Sequence, residues 1–297
     1  MSPRAAHGGV ETVFVLGAGR AGRSLARALA FAGVDVVGLH GRHLDASTIP
    51  AVSAGEVPDT LGTASVVLVT VRDAQLGDAL RQLAGLHLAP GAVVLHASGA
   101  MDPPEAEALR AKGHGVGTMH PLVPLADPMR AVELLRDAWI GVDGDATAIA
   151  AASALAARLG AHALTIPPGE KPRYHAAAVF AANFPVVVAA LAERLLEEAG
   201  IAEGQARAAT VGLMGAAVSN LEKGRPHDVL TGPIARGDVT SVRGHLSVLA
   251  DDAPALAAYV TLSRAALTLA HERGTPAERL AEISEALDEA QRPPSTV

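Results

Sequence analysis

A short apolar run that breaks into three spaced glycines constrains this chain more than any other stretch. Thr12-Val-Phe-Val-Leu-Gly17-Ala-Gly19-Arg-Ala-Gly22 has the GxGxxG spacing, and Arg23 to Phe31 follows with apolar residues at helical intervals. A second strand pattern, Val34 to Leu39, comes next. Strand, tight turn, helix and strand form the context in which this spacing signals dinucleotide binding. Gly17 permits the turn, Gly19 lets a pyrophosphate approach the backbone, and Gly22 lets the helix pack against the strand. The helix start offers free N–H groups and a partial positive charge. Gly17, Ala18, Gly19, Arg20, Ala21 and Gly22 are therefore the expected phosphate contacts.

The residues after the second strand bear on cofactor choice. NAD enzymes usually place Asp or Glu there to bind the ribose 2′-hydroxyl. This chain has His40-Gly-Arg42-His43 instead, and Asp45 is the first carboxylate afterwards. Arg42 is suited to clamp a 2′-phosphate. NADP is expected over NAD, with Arg42 as a solvated loop charge the alternative.

Length and composition narrow the rest. At 297 residues the chain has room for two domains. A net charge of −7 provides no global basic surface, so nucleic acid and an anionic membrane are not expected partners. There is no cysteine, which excludes disulfides and thiol catalysis. Residues 1–10 do not read as a signal peptide and are expected to be a loose tail, which favours a cytoplasmic location. The twelve histidines are scattered, so no metal site is expected. Ala176 to Ala192 is uncharged but rich in alanine and interrupted by Asn183 and Pro185. A buried helix of a soluble protein is expected there rather than a membrane span.

Ser65 to Thr70, Ala92 to His96 and Val116 to Met119 read as strands, followed by Val71-Arg72-Asp73, Ala97-Ser98-Gly99 and His120-Pro121. Ligands of open α/β sheets sit beyond the carboxyl ends of strands. Val71, Asp73, Ser98 and His120 are candidates on that ground, with turn and capping roles as the alternative. Trp139 to Val142 and Ala163 to Ile166 complete the strands, and Pro167-Pro168-Gly169 marks the expected boundary. This gives an α/β Rossmann-type unit over 11–166 and an all-helical unit over 167–297. A long helix is expected from Pro172 to Glu198, with Lys171 and His175 on one face and a kink at Pro185 that swings Asn183 toward them. Leu230-Thr231-Gly-Pro-Ile-Ala-Arg236-Gly-Asp238 reads either as a helix-to-helix turn or as an anion-binding corner using Thr231 and Arg236.

The fingerprint followed by a helical half resembles the 6-phosphogluconate-dehydrogenase-like superfamily, which includes ketopantoate and pyrroline-5-carboxylate reductases. His120-Pro-Leu, Lys171-Pro-Arg-Tyr-His-Ala-Ala-Ala-Val-Phe-Ala-Ala-Asn183 and the Leu230–Asp238 segment resemble, more specifically, the Rossmann-like and DUF2520 domain-containing proteins. The resemblance spans Val13 to about Glu289. It implies an NADP-dependent oxidoreductase, with Lys171 as proton donor or acceptor at the carbon undergoing hydride transfer. His175 stands where the dehydrogenases carry an asparagine, and Asn183 matches a second asparagine of ketopantoate reductases. A homodimer through the helical halves is also implied. The expected function is hydride transfer between NADP(H) and a small carbonyl, hydroxyacid or imine. Lys171 is the favoured acid, with His120 or His175 as the alternative, and Ser98, Asn183, Thr231 and Arg236 are the expected substrate contacts. The rival expectations are an NADP(H)-binding sensor without turnover, or a helical dimer scaffold with a vestigial fold.

Overall fold

The computed structural model describes residues 12–46 and 51–292. The N-terminal tail therefore lies outside the described residues. The chain divides into two compact units, 1–184 and 185–297.

The first unit is built on one sheet. Its strands are β1 (Thr12–Leu16), β2 (Asp35–His40), β3 (Val52–Ser53), β4 (Val66–Val69), β5 (Val93–His96), β6 (Gly115–Pro121), β7 (Trp139–Gly144) and β8 (His162–Thr165). They lie in the order β3-β2-β1-β4-β5-β6-β7-β8. All pairs are parallel except β6 with β7. The β-branched runs are buried on both faces, as an inner parallel sheet requires. Alternation decides which face each residue serves. Val13, Val15, Val66 and Leu68 join one core layer with α1 (Arg20–Phe31), α4 (Ala131–Leu135) and α5 (Ala146–Arg158). Phe14, Leu16, Val67 and Val69 join the opposite layer with α2 (Asp73–Gly85) and α3 (Ala106–Arg110). The sequence reading missed β3, a two-residue strand too short to carry a pattern.

The glycine turn has the expected shape. Gly17 sits at φ +115°, and its amide donates to the His40 carbonyl at 2.8 Å. Thr70 Oγ1 donates to the Gly17 carbonyl at 2.6 Å. A Cβ on Gly22 would stand 1.8 Å from that same oxygen. The helix and the strand end are in direct backbone contact there.

Helix continues from Lys171 to Glu198, through α6 (Lys171–Ala178), a π turn (Val179–Asn183) and α7 (Phe184–Glu198). Where a kink was expected at Pro185, the backbone widens one turn earlier. The Phe184 amide reaches back to the Val179 carbonyl, five residues away. Proline has no N–H to give to the carbonyl four residues before it, and a π turn accommodates such a gap within a helix. The sheet ends at Thr165, near the boundary read from Pro167-Pro168-Gly169, but the compact unit extends to Phe184 and keeps α6 with the sheet.

The second unit holds α8 (Glu203–Leu221), α9 (Pro226–Val229), α10 (Pro233–Arg236), α11 (Val239–Val248), α12 (Ala253–Glu272) and α13 (Ala277–Ala290), together with α7 from Pro185 onward. Val242, Leu246, Val260, Ile283 and Leu287 form its core. Asp238 and Asp252 cap α11 and α12 by accepting the Ser241 and Ala255 amides at 3.1 Å. The expectation of a buried helix over Ala176–Ala192 is corrected. Among the described residues, α7 buries no residue and α8 buries only Ala206 and Thr210. The Lys171–Glu198 helix and α12 are long and apolar enough, by length and composition, to cross a membrane.

The glycine contacts give a paired expectation. Gly22→Ala forces the turn apart and should cost at least about 2 kcal/mol in urea unfolding. Gly19→Ala adds a methyl into open space and should cost under about 1 kcal/mol. Equal losses would contradict the packing described.

Candidate functional site

The order of strands reverses at β1, whose neighbours β2 and β4 are reached in opposite directions. The carboxyl ends of β1 and β4 therefore flank a crevice, the place where such sheets bind ligands. Gly19 caps α1 with no side-chain hydrogen bond, and no described residue lies within 4 Å of where its Cβ would be. The first-turn amides of Arg20, Ala21 and Gly22 have no carbonyl one helical turn back. Bare backbone, open space and a helix dipole fit a pyrophosphate. Val71 is half-buried at the end of β4, and Asp73 is exposed at the start of α2.

The end of β2 completes this side. A Cβ on Gly41 would stand 2.6 Å from the Ala18 Cβ, so the β2 loop lies against the glycine turn. Arg42 follows, exposed. His40 is buried, and its Nδ1 is 3.0 Å from Ser53 Oγ. Asp45 is engaged by Arg23, whose Nε also donates to the Ala18 carbonyl at 2.9 Å.

A second cluster occupies the ends of β5 and β6. Lys171 opens α6, and three and four residues later come Tyr174 and His175 on the same helical face. Lys171 is 1% exposed. Its Nζ donates to the Met101 carbonyl at 3.0 Å and to Asp102, and forms an ion pair with Asp143 Oδ2 at 3.0 Å. Lys171, the expected acid, is thus buried and held by Asp102, Asp143 and the Met101 carbonyl at the start of α6. Tyr174 places its hydroxyl 2.8 Å from His120 Nδ1, with the rings edge-on at 5.6 Å. The His175 ring is 6.0 Å from that of His120. Two glycines make the room. A Cβ on Gly99 would stand 2.6 Å from the His120 ring, and one on Gly141 would stand 2.2 Å from the Tyr174 hydroxyl. Ser98 is buried, and its Oγ accepts from the Met101 amide at 3.3 Å, a turn role.

Burial governs the protonation of this cluster. His120 is lowered to about 4 by desolvation first, then by His175 and Lys171, against an opposing pull from Asp73. His96, under the same cluster, is also lowered to about 4 by desolvation and Lys171, against Asp143, Asp102 and Asp73. Tyr174 is raised to about 12 by desolvation and by Asp143, although a hydrogen bond from the Gly141 backbone opposes this. Both imidazoles are neutral at pH 7. The Nδ1 atoms of His96 and His175 are buried without a hydrogen-bond partner among the described residues.

The remaining candidates lie elsewhere. Asn183 is exposed in the π turn. Thr231 and Arg236 are exposed in the second unit. The surrounding segment is largely explained as a turn: Gly232 lies at φ +96°, Pro233 opens α10, Gly237 at φ +67° ends it, and Asp238 caps α11. Tyr174, His96, Asp102, Asp143 and the slots at Gly99 and Gly141 escaped the sequence reading. Tyr174 alone had a signal, its position three residues after Lys171. Among the described residues no group of three or more His, Asp or Glu is placed to hold a metal ion.

The two lowered histidines link stability to pH. Unfolding returns each to the ordinary value near 6.5. Between about 6.5 and about 4 the unfolded chain binds the additional protons, so stability falls as pH falls, by up to ~1.4 kcal/mol per pH unit for each histidine. The stability of the wild type relative to His96→Gln should decline from pH 7 to pH 5 in urea unfolding. A constant difference would contradict the burial of a neutral His96.

Comparison with known proteins agrees with this architecture. Residues 7–121 match a Rossmann-like domain, and residues 138–266 match DUF2520, a domain of unknown function. No curated protein sequence matches the chain. A Bacteroides fragilis protein named as a candidate NADP oxidoreductase superposes with a TM-score of 0.68 at 21% identity, covering 87% of this chain and 98% of its own. Protein TM1727 of Thermotoga maritima gives 0.67 at 24% identity, covering 88% and 98%. Plasmodium falciparum pyrroline carboxylate reductase, solved with NADP bound, gives 0.60 at 12% identity, covering 93% and 100%. At these identities the likeness is one of fold. The chain is a Rossmann-like and DUF2520 domain-containing protein, with the fold of the NAD(P)-dependent reductases.

Proposed function

We propose that this protein is an NADP-dependent oxidoreductase acting on a small carbonyl, hydroxyacid or imine. One observation carries the reading. The bare backbone at Gly19–Gly22 and the His120–Tyr174–His175 cluster both lie at the carboxyl ends of parallel strands of a single sheet. A nicotinamide cofactor supplies the hydride, and the protein supplies position and electrostatics. The amides of Arg20, Ala21 and Gly22 would hold the pyrophosphate. Arg42 would hold the 2′-phosphate, since no carboxylate follows β2 directly and Asp45 is engaged by Arg23. His120 would face the substrate, because Nδ1 is taken by Tyr174 and Nε2 has no hydrogen-bond partner among the described residues.

The burial of Lys171 against Asp102, Asp143 and the Met101 carbonyl also favours a second reading, a sensor that binds NADP(H) without turnover. NADPH oxidation against a panel of ketoacids, aldehydes and cyclic imines separates the two: tight binding with no turnover on any of them selects the sensor. Arg42→Ala should weaken NADPH binding by about 10-fold or more, the worth of a charge-assisted contact, and leave NADH unchanged. Equal effects on both cofactors would refute the assignment of Arg42.

We also propose that a second copy of the chain covers the helical unit. Val186, Val187, Val211, Leu213 and Val218 are 56–72% exposed on α7 and α8. Monomers seldom leave so much apolar surface uncovered. Sedimentation should show a dimer at micromolar concentration, and Val187→Glu with Leu213→Glu should shift it toward monomer. A monomeric wild type, or one recovered only with detergent or lipid, would contradict this.

A further inference from the structure

We infer that Tyr174 is a positioning residue that fixes the tautomer of His120, so that the neutral imidazole presents Nε2–H to the substrate as a hydrogen-bond donor. The inference rests on the oxidoreductase reading of this site and assigns the chemistry within it.

The geometry supplies each part. The Tyr174 hydroxyl is 2.8 Å from His120 Nδ1 and 3.5 Å from the His120 carbonyl. A phenol has one proton, and the shorter contact takes it. A neutral imidazole that accepts at Nδ1 must carry its proton on Nε2. Gly99 and Gly141 hold both rings in slots that no side chain could share. Lys171, locked to Asp102, Asp143 and the Met101 carbonyl, fixes the start of α6 and hence where Tyr174 stands. Groups facing His120 are Asp73 from α2 and Lys171, Tyr174 and His175 from α6. Burial keeps the ring neutral and keeps the phenol protonated.

In this role His120 does not transfer its proton. Negative charge that develops on a carbonyl oxygen or imine nitrogen during reduction is met by Nε2–H, and the final proton comes from solvent. A neutral imidazole acting as electrophile in this way is established chemistry for a histidine with a lowered pKa, and a positioned donor of this kind contributes about 10²–10³ in rate.

The test reads the tautomer directly. Imidazole ¹⁵N shifts of His120 in the full-length protein should report Nε2–H at pH 7. In Tyr174→Phe, which keeps the ring, they should show loss of that preference. On the fastest substrate of the ketoacid, aldehyde and imine panel, kcat should fall about 10- to 100-fold in Tyr174→Phe, with the Kd for NADPH within twofold of wild type. His120→Gln, which retains an N–H donor, should keep more activity than His120→Ala. Nδ1–H in the wild type, an unchanged tautomer in Tyr174→Phe, or an unchanged kcat despite a lost tautomer would overturn the inference. Nε2–H at His120 with no turnover on any panel member would instead overturn the oxidoreductase reading on which it rests.

Discussion

A buried ammonium holds the chemistry of this molecule in place. Lys171 is withdrawn from water at the first turn of α6, and two carboxylates and a carbonyl meet it there. Removing one partner from such a group leaves an uncompensated charge, which is costly by several kcal/mol. The grip is directional as well as strong. It joins α6 to β7 through Asp143 and to the loop after β5 through Met101 and Asp102. Helical spacing then turns Tyr174 and His175 toward His120 on β6. The positive charge adds to desolvation in lowering His96 and His120, so the same residue that fixes the geometry helps keep the imidazoles neutral.

Absent side chains do comparable work. Gly22 and Gly17 let α1 touch the end of β1, while Gly19 leaves its backbone open. Gly99 and Gly141 do the reverse, and are filled by the side chains of His120 and Tyr174. One set of glycines makes space for a ligand, the other for the residues that would address it. Gly17 and Gly99 follow the carboxyl ends of the parallel strands β1 and β5, and Gly141, in the antiparallel strand β7, is paired with His120 near the carboxyl end of β6.

The glycine turn, every strand of the first unit except the two-residue β3, and the helical second half were legible because each rests on local periodicity or spacing. Asp73, Ser98 and His120 were found at strand ends by the same logic. Asp102 and Asp143 were not, since what makes them matter is a lysine 69 and 28 residues away that only the fold brings near. The sequence showed that Lys171 and His175 share a face, but not that the lysine would be spent on carboxylates. The exposure of α7 was hidden for the opposite reason. An apolar run looks the same whether its own chain or another molecule covers it, and here the described residues leave no α7 residue buried. Pro185 announced an irregularity, and a π turn absorbed it where a kink was the simpler expectation.

The central claim is that one sheet edge seats a dinucleotide on bare backbone beside a neutral histidine. Titrating ¹⁵N-labelled protein with NADPH examines it most directly. The account predicts saturable shifts of the Gly17–Arg23 amides and, at the same cofactor concentrations, of the His120 imidazole. Shifts confined to other surfaces, or saturation at the glycine turn that leaves His120 untouched, would contradict it.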